Sequence, residues 1–146
     1  MRVRGSAIIQ QDDKILTLVY NYPEGRVHAI PGGNLDDGEI LDQCIVREYQ
    51  EELGLEIAID RLLYVGDMPG SEHIKPAIHV IFQAHIVSGV PQLNPVETSA
   101  AEYLWLPLDQ LEDILLYPAI NQAILDDLNR DPNPRYLGNC MTRKWA

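Results

Sequence analysis

Residues 33–55, GNLDDGEILDQCIVREYQEELGL, contain a helical pattern that changes character along its length. A helix advances about 100° per residue, so side chains three and four positions apart share a face. One arc of about 120° holds three apolar residues and then three carboxylates: Leu41, Cys44, Ile45, Glu48, Glu51 and Glu52. A stripe that begins as hydrophobic core therefore ends as a cluster of like charges, which the fold must compensate if all three stay ionised.

A divalent cation would compensate these carboxylates. Glu48 and Glu52 are four residues apart and Glu51 lies beside them, so one helix face can hold one ion or two. Hard oxygen ligands suit Mg²⁺ or Mn²⁺ rather than zinc. Arg47 stands at the edge of the same arc and can pair with Glu51, which would hold that carboxylate and reduce the repulsion.

The loop before the helix, residues 31–38, contains Gly32, Gly33 and Gly38. Glycine permits backbone conformations and close approaches that side chains forbid, so a carbonyl there can ligate a metal and amides can face phosphate. Loop and helix together predict a metal-dependent site for phosphate chemistry, with a metal-activated water as nucleophile. The competing interpretation is a solvated acidic helix face. It is weakened because the acidic patch continues the apolar stripe instead of opposing it.

Composition limits the classes of function. The chain has 146 residues, 46% of them hydrophobic, which fits one domain with a hydrophobic core. The formal net charge of -11 disfavours a nucleic-acid partner, because such binding needs a basic surface. Cys44 and Cys140 show no zinc spacing, and Cys44 on the apolar stripe indicates a buried thiol. No signal peptide and no membrane span of about 18 apolar residues is visible, so a cytoplasmic protein is expected.

The remaining pattern predicts strands around one central helix, with helices near the end, as a mixed α/β or α+β sandwich. Strands are predicted over 3–10, 15–20, 28–30, 55–65, 77–87 and 102–106. Helices are predicted over 39–53, 108–115 and 118–128, with loops over 21–27 and 66–76. Gly54 is placed to cap the central helix. The tail from about residue 129 carries no pattern that assigns it.

The segment resembles the signature of the Nudix hydrolases, G-x5-E-x7-R-E-U-x-E-E-x-G-U, in which U is aliphatic. The matching positions are Gly33, Glu39, Arg47, Glu48, Glu51, Glu52, Gly54 and Leu55. Two positions depart: Tyr49 takes the first aliphatic place, and His28 stands where a tryptophan is common. The resemblance covers roughly residues 3–128, of which only 31–55 are specific.

This resemblance implies one Nudix domain over 1–146, an α/β/α sandwich with a mixed sheet. It implies hydrolysis of a nucleoside diphosphate linked to another moiety, by water attacking phosphorus. By position, the Mg²⁺ (or Mn²⁺) ligands would be the Gly32 carbonyl and the side chains of Glu48, Glu51 and Glu52. Glu39 and Arg47 would orient the helix and its carboxylates.

The catalytic base varies among the proteins that the sequence resembles. It is expected to be Glu48 or an acidic residue on a later loop, with Glu102 preferred and Glu97 behind it. Glu52 is also predicted to be catalytic, so that Glu52→Gln would abolish turnover and leave the fold intact. A simple surface role is the competing interpretation for Glu102 and Glu97.

Substrate choice is expected to depend on residues outside the signature. Pro69 lies 14 residues after Leu55, near a marker of ADP-ribose-type enzymes, so an ADP-ribose-like compound or a nucleotide sugar is expected. The candidate contacts are aromatic residues for base stacking and basic residues for phosphate or sugar: Tyr20, Tyr22, Phe82, Arg4, Arg26 and His79. The competing interpretation places Phe82 in the core and the arginines at the surface.

Three other functions stay open at this point. One is a nucleoside triphosphate pyrophosphohydrolase, and another is a non-catalytic module that binds a nucleotide. The third is an RNA-processing role such as cap removal, against which the charge of -11 counts. The frequency of two-fold assemblies favours a homodimer.

Overall fold

The computed structural model of the protein describes residues 1–72, 74–131 and 133–142. These residues form nine strands, two α-helices and one 3₁₀ helix. The strands are β1 (Arg2–Gln11), β2 (Lys14–Tyr22), β3 (Gly25–Ala29), β4 (Gly32–Asn34), β5 (Glu56–Met68), β6 (Ala77–Ser88), β7 (Glu102–Pro107), β8 (Leu115–Tyr117) and β9 (Arg135–Asn139). The helices are α1 (Leu41–Leu53), the 3₁₀ helix (Leu108–Asp113) and α2 (Asn121–Asp127). None of the helices in this part of the chain is long and apolar enough to cross a membrane.

The strands form one mixed sheet in the order β8-β3-β2-β1-β6-β5-β9, with β4 added on β1 and β7 on β2. Three pairs are parallel: β1 with β6, β3 with β8, and β5 with β9. The other pairs are antiparallel. The mixed sheet that the sequence predicted is therefore confirmed.

The sheet divides into two halves just beyond its first hairpin. β1 and β2 pair only where Gln10 faces Ile15 and Gln11 faces Lys14. Further along, β1 pairs with β4 and β6, whereas β2 pairs with β3 and β7. The two strands diverge because each has different neighbours, and this divergence leaves space between the halves of the sheet.

Two apolar clusters fill the two sides of the sheet. Ile45 and Leu53 of α1 pack with Ala7 of β1, and all three are fully buried. The next residue of β1, Ile8, belongs to the other cluster, which includes Ile124 of α2. Because neighbouring residues of a strand point to opposite faces, this alternation places α1 on one face and α2 on the other. The predicted α/β/α sandwich is confirmed.

The central helix begins two residues later than predicted. Residues 36–39 form a turn in which the Glu39 amide donates to the Asp36 carbonyl at 3.1 Å, so α1 starts at Leu41. At the other end Gly54 adopts φ 65°, and its amide donates to the Gln50 carbonyl. The predicted glycine cap is confirmed.

Several predicted boundaries in the first half of the chain were wrong. The loop over 21–27 is a hairpin, because β2 continues to Tyr22 and β3 begins at Gly25. Three residues of the glycine-rich loop form β4, in which Gly33 pairs with Gly5. The strand predicted to end at residue 65 continues to Met68, where it pairs with β6.

The second half of the chain also departs from the prediction. The segment 108–115 is a 3₁₀ helix that ends at Asp113, followed by β8. The helix predicted over 118–128 begins only at Asn121, and the Ala119 amide before it donates to the Cys140 carbonyl. The unassigned tail supplies β9, which pairs with β5. Residues 132 and 143–146 of that tail, and residue 73 of the predicted loop 66–76, lie outside the described residues.

Candidate active site

Arg47 holds four carboxylates of the α1 region together. Its Nε and Nη2 donate to the two oxygens of Glu39, at 2.7 and 2.9 Å. Its Nη1 donates to Glu48 at 3.0 Å and to Glu51 at 3.1 Å, so the pair predicted from the helix spacing is present. A carboxylate oxygen of Asp36 lies 3.3 Å from Nη2. The Arg47 hydrogen bonds are the largest of the influences that lower the pKa of Glu39 to about 2.

Glu48 and Glu52 carry more negative charge than their surroundings compensate. Glu52 is buried, with 8% of its surface exposed. Burial is the main cause that raises the pKa of Glu52 to about 8, followed by the hydrogen bond that Glu52 donates to Glu48 and by the charge of Glu48. Arg4 and Thr98 act in the opposite direction. In the metal-free protein, burial and the neighbouring Glu48 therefore favour the protonated form of Glu52.

Two glycines allow β4 to approach these carboxylates. A Cβ atom on Gly33 would lie 2.3 Å from Cδ of Glu48, and one on Gly32 would lie 2.2 Å from the carbonyl oxygen of Gly5. At Gly32 the obstacle is backbone, so that position requires glycine for space, whereas a side chain at Gly33 would displace the carboxyl group of Glu48. The close approach brings the backbone of Gly32 and Gly33 next to the acidic end of α1, as the sequence led us to expect.

A loop between β6 and β7 closes the C-terminal end of α1. The Asn94 amide donates to the Glu52 carbonyl at 3.0 Å, and the Thr98 amide donates to the Asn94 carbonyl at 3.0 Å. This loop buries Thr98, whose side chain hydrogen-bonds Glu52 and whose hydroxyl lies 3.4 Å from that of Tyr20. Sequence reasoning missed Thr98, because no local pattern shows that this loop folds back onto the helix.

A cleft of about 420 Å³ opens where β1 and β2 diverge. Its described lining is aromatic and apolar apart from one arginine and one glycine: Arg4, Tyr20, Tyr22, Val27, Ala29, Gly32, Ile74 and Tyr117. Gly32 lines this cleft and immediately precedes Gly33, whose neighbour is Glu48. The cleft and the acidic end of α1 therefore meet at β4.

The predicted contact residues fall in different places. Arg4, Tyr20 and Tyr22 line the cleft, and Arg4 is buried, so its surface interpretation was wrong. Phe82 is partly buried and packs in the apolar cluster beneath α1, as the core interpretation expected. Its role in substrate binding stays a prediction without support from this placement.

The two acidic residues predicted on the later loop lie nearer the surface. Glu102 on β7 forms a salt bridge with Arg26 at 2.7 Å, and both side chains are about half exposed, at 54% and 53%. Glu97 is exposed, in a turn where its amide donates to the Asn94 carbonyl. The described lining of the cleft includes neither acid nor Arg26. Their predicted roles stay predictions.

The acidic residues fit a divalent cation by chemistry. Their oxygen donors suit a hard ion, and the raised pKa of the buried Glu52 marks a place where positive charge is lacking. Within residues 1–72, 74–131 and 133–142, however, no three His, Cys, Asp or Glu side chains already converge on one ion position. Glu48 and Glu51 point to Arg47 instead. Binding would thus require loss of the proton and rotation of these side chains.

Comparison with known proteins gives a consistent result. Residues 1–128 match the model of the NUDIX domain. The NAD-capped RNA hydrolase NudC of Photorhabdus laumondii subsp. laumondii is 29% identical over 119 residues, which are 82% of this chain and 44% of that protein. The ADP-ribose pyrophosphatase of Methanocaldococcus jannaschii is 34% identical over 83 residues, which are 56% of this chain and 49% of that protein.

The fold resembles that of a solved relative over nearly its whole length. The crystal structure of an ADP-ribose pyrophosphatase from Streptococcus suis superposes with a TM-score of 0.71 and 22% identity. The match covers 93% of this chain and 98% of that chain, and at this identity it shows the fold alone. The chain spans slightly less than half the length of the two curated relatives above.

Proposed function

Because the chain belongs to the Nudix hydrolase family, we propose that it hydrolyses a diphosphate linkage in a nucleoside diphosphate derivative. The observation that carries this proposal is the buried Glu52 beside Glu48, which lies against β4 next to an aromatic cleft. Such a pair lacks a positive charge, and a cation with bound phosphates would supply it.

Glu48, Glu51 and Glu52, with the Gly32 carbonyl, would hold Mg²⁺ or Mn²⁺. When bound, the ion supplies positive charge for the substrate phosphates and lowers the pKa of water. In the metal-free protein, Arg47 is held by Glu39 and in turn hydrogen-bonds Glu48 and Glu51. Because Glu48 and Glu51 contact Arg47 in the metal-free protein, both carboxylates would have to turn toward the ion when it binds.

We place the proton acceptor within the Glu48–Glu52 pair. Both residues are carboxylates, and a positioned carboxylate can accept a proton from the attacking water. Glu102 is the alternative, although its salt bridge to Arg26 would first have to open. Because both bases are carboxylates, the choice is decided by replacing each with its amide.

The cleft favours a nucleoside as the organic part of the substrate. The side chains of Tyr20, Tyr22 and Tyr117 offer flat surfaces on which a base can stack. The relatives are named for ADP-ribose and for NAD, both of which join adenosine diphosphate to a second moiety. We therefore propose an ADP-ribose-like substrate, ahead of a nucleotide sugar or a nucleoside triphosphate. The charge of -11 makes a capped RNA the weaker choice.

The test is turnover against ADP-ribose, NAD, nucleotide sugars, dinucleoside polyphosphates and nucleoside triphosphates, each with Mg²⁺, with Mn²⁺ and with chelator. The reaction in ¹⁸O-labelled water identifies the attacked phosphorus from the labelled product. We expect metal-dependent cleavage of one class, lost in E52Q and kept in E112Q, since Glu112 is an exposed glutamate on the 3₁₀ helix. If no substrate is cleaved but a nucleotide raises the thermal unfolding temperature, the result would instead support a non-catalytic binding module.

Two further predictions concern the cell and the assembly. A cytoplasmic location follows only from the sequence, and fractionation would test it. The homodimer rests on the frequency of two-fold assemblies. Sedimentation of the purified chain would decide it.

A further inference from the structure

We propose that Arg4 is a specificity-determining residue that binds a phosphate oxygen of the nucleotide in the cleft. The inference rests on the proposed function, because it takes the cleft as the nucleotide site. It assigns the phosphate contact to a second cationic position, separate from the metal held by the α1 carboxylates. The chemistry recognised is a phosphate monoester or diphosphate oxygen, and not the base or the sugar.

Arg4 is a buried cation with an unused hydrogen-bond donor. Only 9% of its surface is exposed. Its Nη2 donates to the Ile30 carbonyl at 2.8 Å, whereas its Nη1 is buried without a partner among the described residues. No carboxylate of those residues forms a salt bridge with it. A buried guanidinium without an anion is costly, so an anionic ligand would complete the site.

The neighbours of Arg4 hold its guanidinium in place without neutralising it. The group lies over the ring of Tyr117, 5.0 Å from the centroid, and the ring of His79 meets Tyr117 edge-on at 5.3 Å. His79 pairs with Arg4 across β1 and β6, and both of its ring nitrogens are buried without a partner in the part of the chain that the structure describes. Burial lowers the pKa of His79 to about 3, so it stays neutral beside the arginine. The guanidinium is therefore preorganised for a ligand oxygen.

The position of Arg4 suits a diphosphate that reaches from the cleft to the acidic face. Arg4 is the one charged residue of the described cleft lining. It also lies close enough to Glu52 to act on that carboxyl group electrostatically. A protein with a net charge of -11 repels anionic ligands, so a local cation favours the phosphate at this place.

Binding to the chelator-treated protein separates this contact from the metal. Dissociation constants for AMP and for adenosine are measured by calorimetry on the wild-type chain, R4Q, R4K and R61Q. Arg61 is the matched control, since it lies on β5 and its Nε donates to Gln83 at 2.8 Å, outside the cleft lining. Thermal unfolding confirms that each variant is folded.

We expect R4Q to raise the dissociation constant of AMP at least about ten-fold more than that of adenosine, because AMP loses a charge-assisted hydrogen bond. R4K keeps the charge without the fork geometry, so it should retain part of this preference. R61Q should match the wild type. If R4Q raises the dissociation constants of AMP and adenosine equally, Arg4 has a purely structural role and the proposal is overturned. No difference between R4Q and wild type, or no binding of AMP to the wild type, would also overturn it.

The outcome is independent of the hydrolase assay. If R4Q loses the phosphate preference but the wild type cleaves nothing, the Arg4 site stands and the proposed hydrolysis fails. If the wild type cleaves its substrate and R4Q keeps the preference for AMP, the hydrolysis stands and the Arg4 site fails.

Discussion

Replacing Glu52 by glutamine is expected to stabilise the metal-free protein at alkaline pH while it removes activity. Glutamine keeps the shape of the side chain but cannot ionise. The native carboxyl group is buried beside Glu48, so its ionised form is unfavourable in the folded state. The substitution removes this cost together with a predicted metal ligand.

The sign of the effect follows from the proton that the folded state retains. Burial first, and then Glu48, raise the pKa of Glu52 from 4.5 to about 8. Between these values the folded state binds more protons than the unfolded state, so the free energy of unfolding falls as the pH rises. The stabilising contribution is complete below pH 4.5 and is lost by about pH 8. E52Q should not show this loss.

The gain in the free energy of unfolding can be bounded from the same shift in the pKa of Glu52. A rise from 4.5 to about 8 corresponds to about 5 kcal/mol. Because neighbouring side chains can rearrange around the ionised carboxylate, we expect E52Q to gain about 2 to 4 kcal/mol at about pH 8.5. At about pH 5 the wild-type group is mostly protonated, and the two proteins should agree within about 1 kcal/mol.

The assay is urea unfolding with chelator at both pH values, which gives the free energy of unfolding directly. E112Q serves as the control, because Glu112 is an exposed glutamate outside the site. Adding Mg²⁺ should stabilise the wild type more than E52Q, by linkage to binding. The electrostatic reasoning is wrong if E52Q is no more stable than the wild type at the higher pH. It is also wrong if E52Q gains the same free energy of unfolding at both pH values.

Three further substitutions test neighbouring contacts. G33A places a Cβ 2.3 Å from Cδ of Glu48, so turnover should fall about 100-fold while far-UV circular dichroism stays unchanged. R47K keeps the charge but loses the fork that holds the surrounding carboxylates, so metal affinity by calorimetry should fall about 10-fold to 100-fold. Y49F removes a hydroxyl that donates to the Ala7 carbonyl at 2.6 Å, which should cost about 1 to 2 kcal/mol in urea unfolding without changing kcat.

The parts of the site that lie on one helix could be predicted from the sequence. Arg47, Glu48, Glu51 and Glu52 are close in the chain, and the helical period alone puts them on one face. The space requirement at Gly33 also follows a local pattern, although its neighbour Glu48 appears only in the structure. Local geometry is transferable because it needs no knowledge of distant contacts.

The contacts that could not be predicted join distant parts of the chain. Thr98 reaches Glu52 because a loop without local pattern hydrogen-bonds the end of α1. Arg4 is an ordinary strand residue in the sequence, and only the divergence of β1 and β2 opens a cleft beside it. β9 pairs with β5 across about half of the chain, and its own residues carry no alternation that marks a strand.

The stripe of α1 turns acidic where the compensating arginines are insufficient. Arg47 already contacts three glutamates and one aspartate, so it cannot also neutralise Glu52. Arg4 lowers the pKa of Glu52 only through its charge, and its Nη1 has no partner among the described residues. One side of the site therefore lacks a cation and the other lacks an anion. A divalent ion on the carboxylates and a phosphate on Arg4 would satisfy both deficits, and each would then favour the binding of the other.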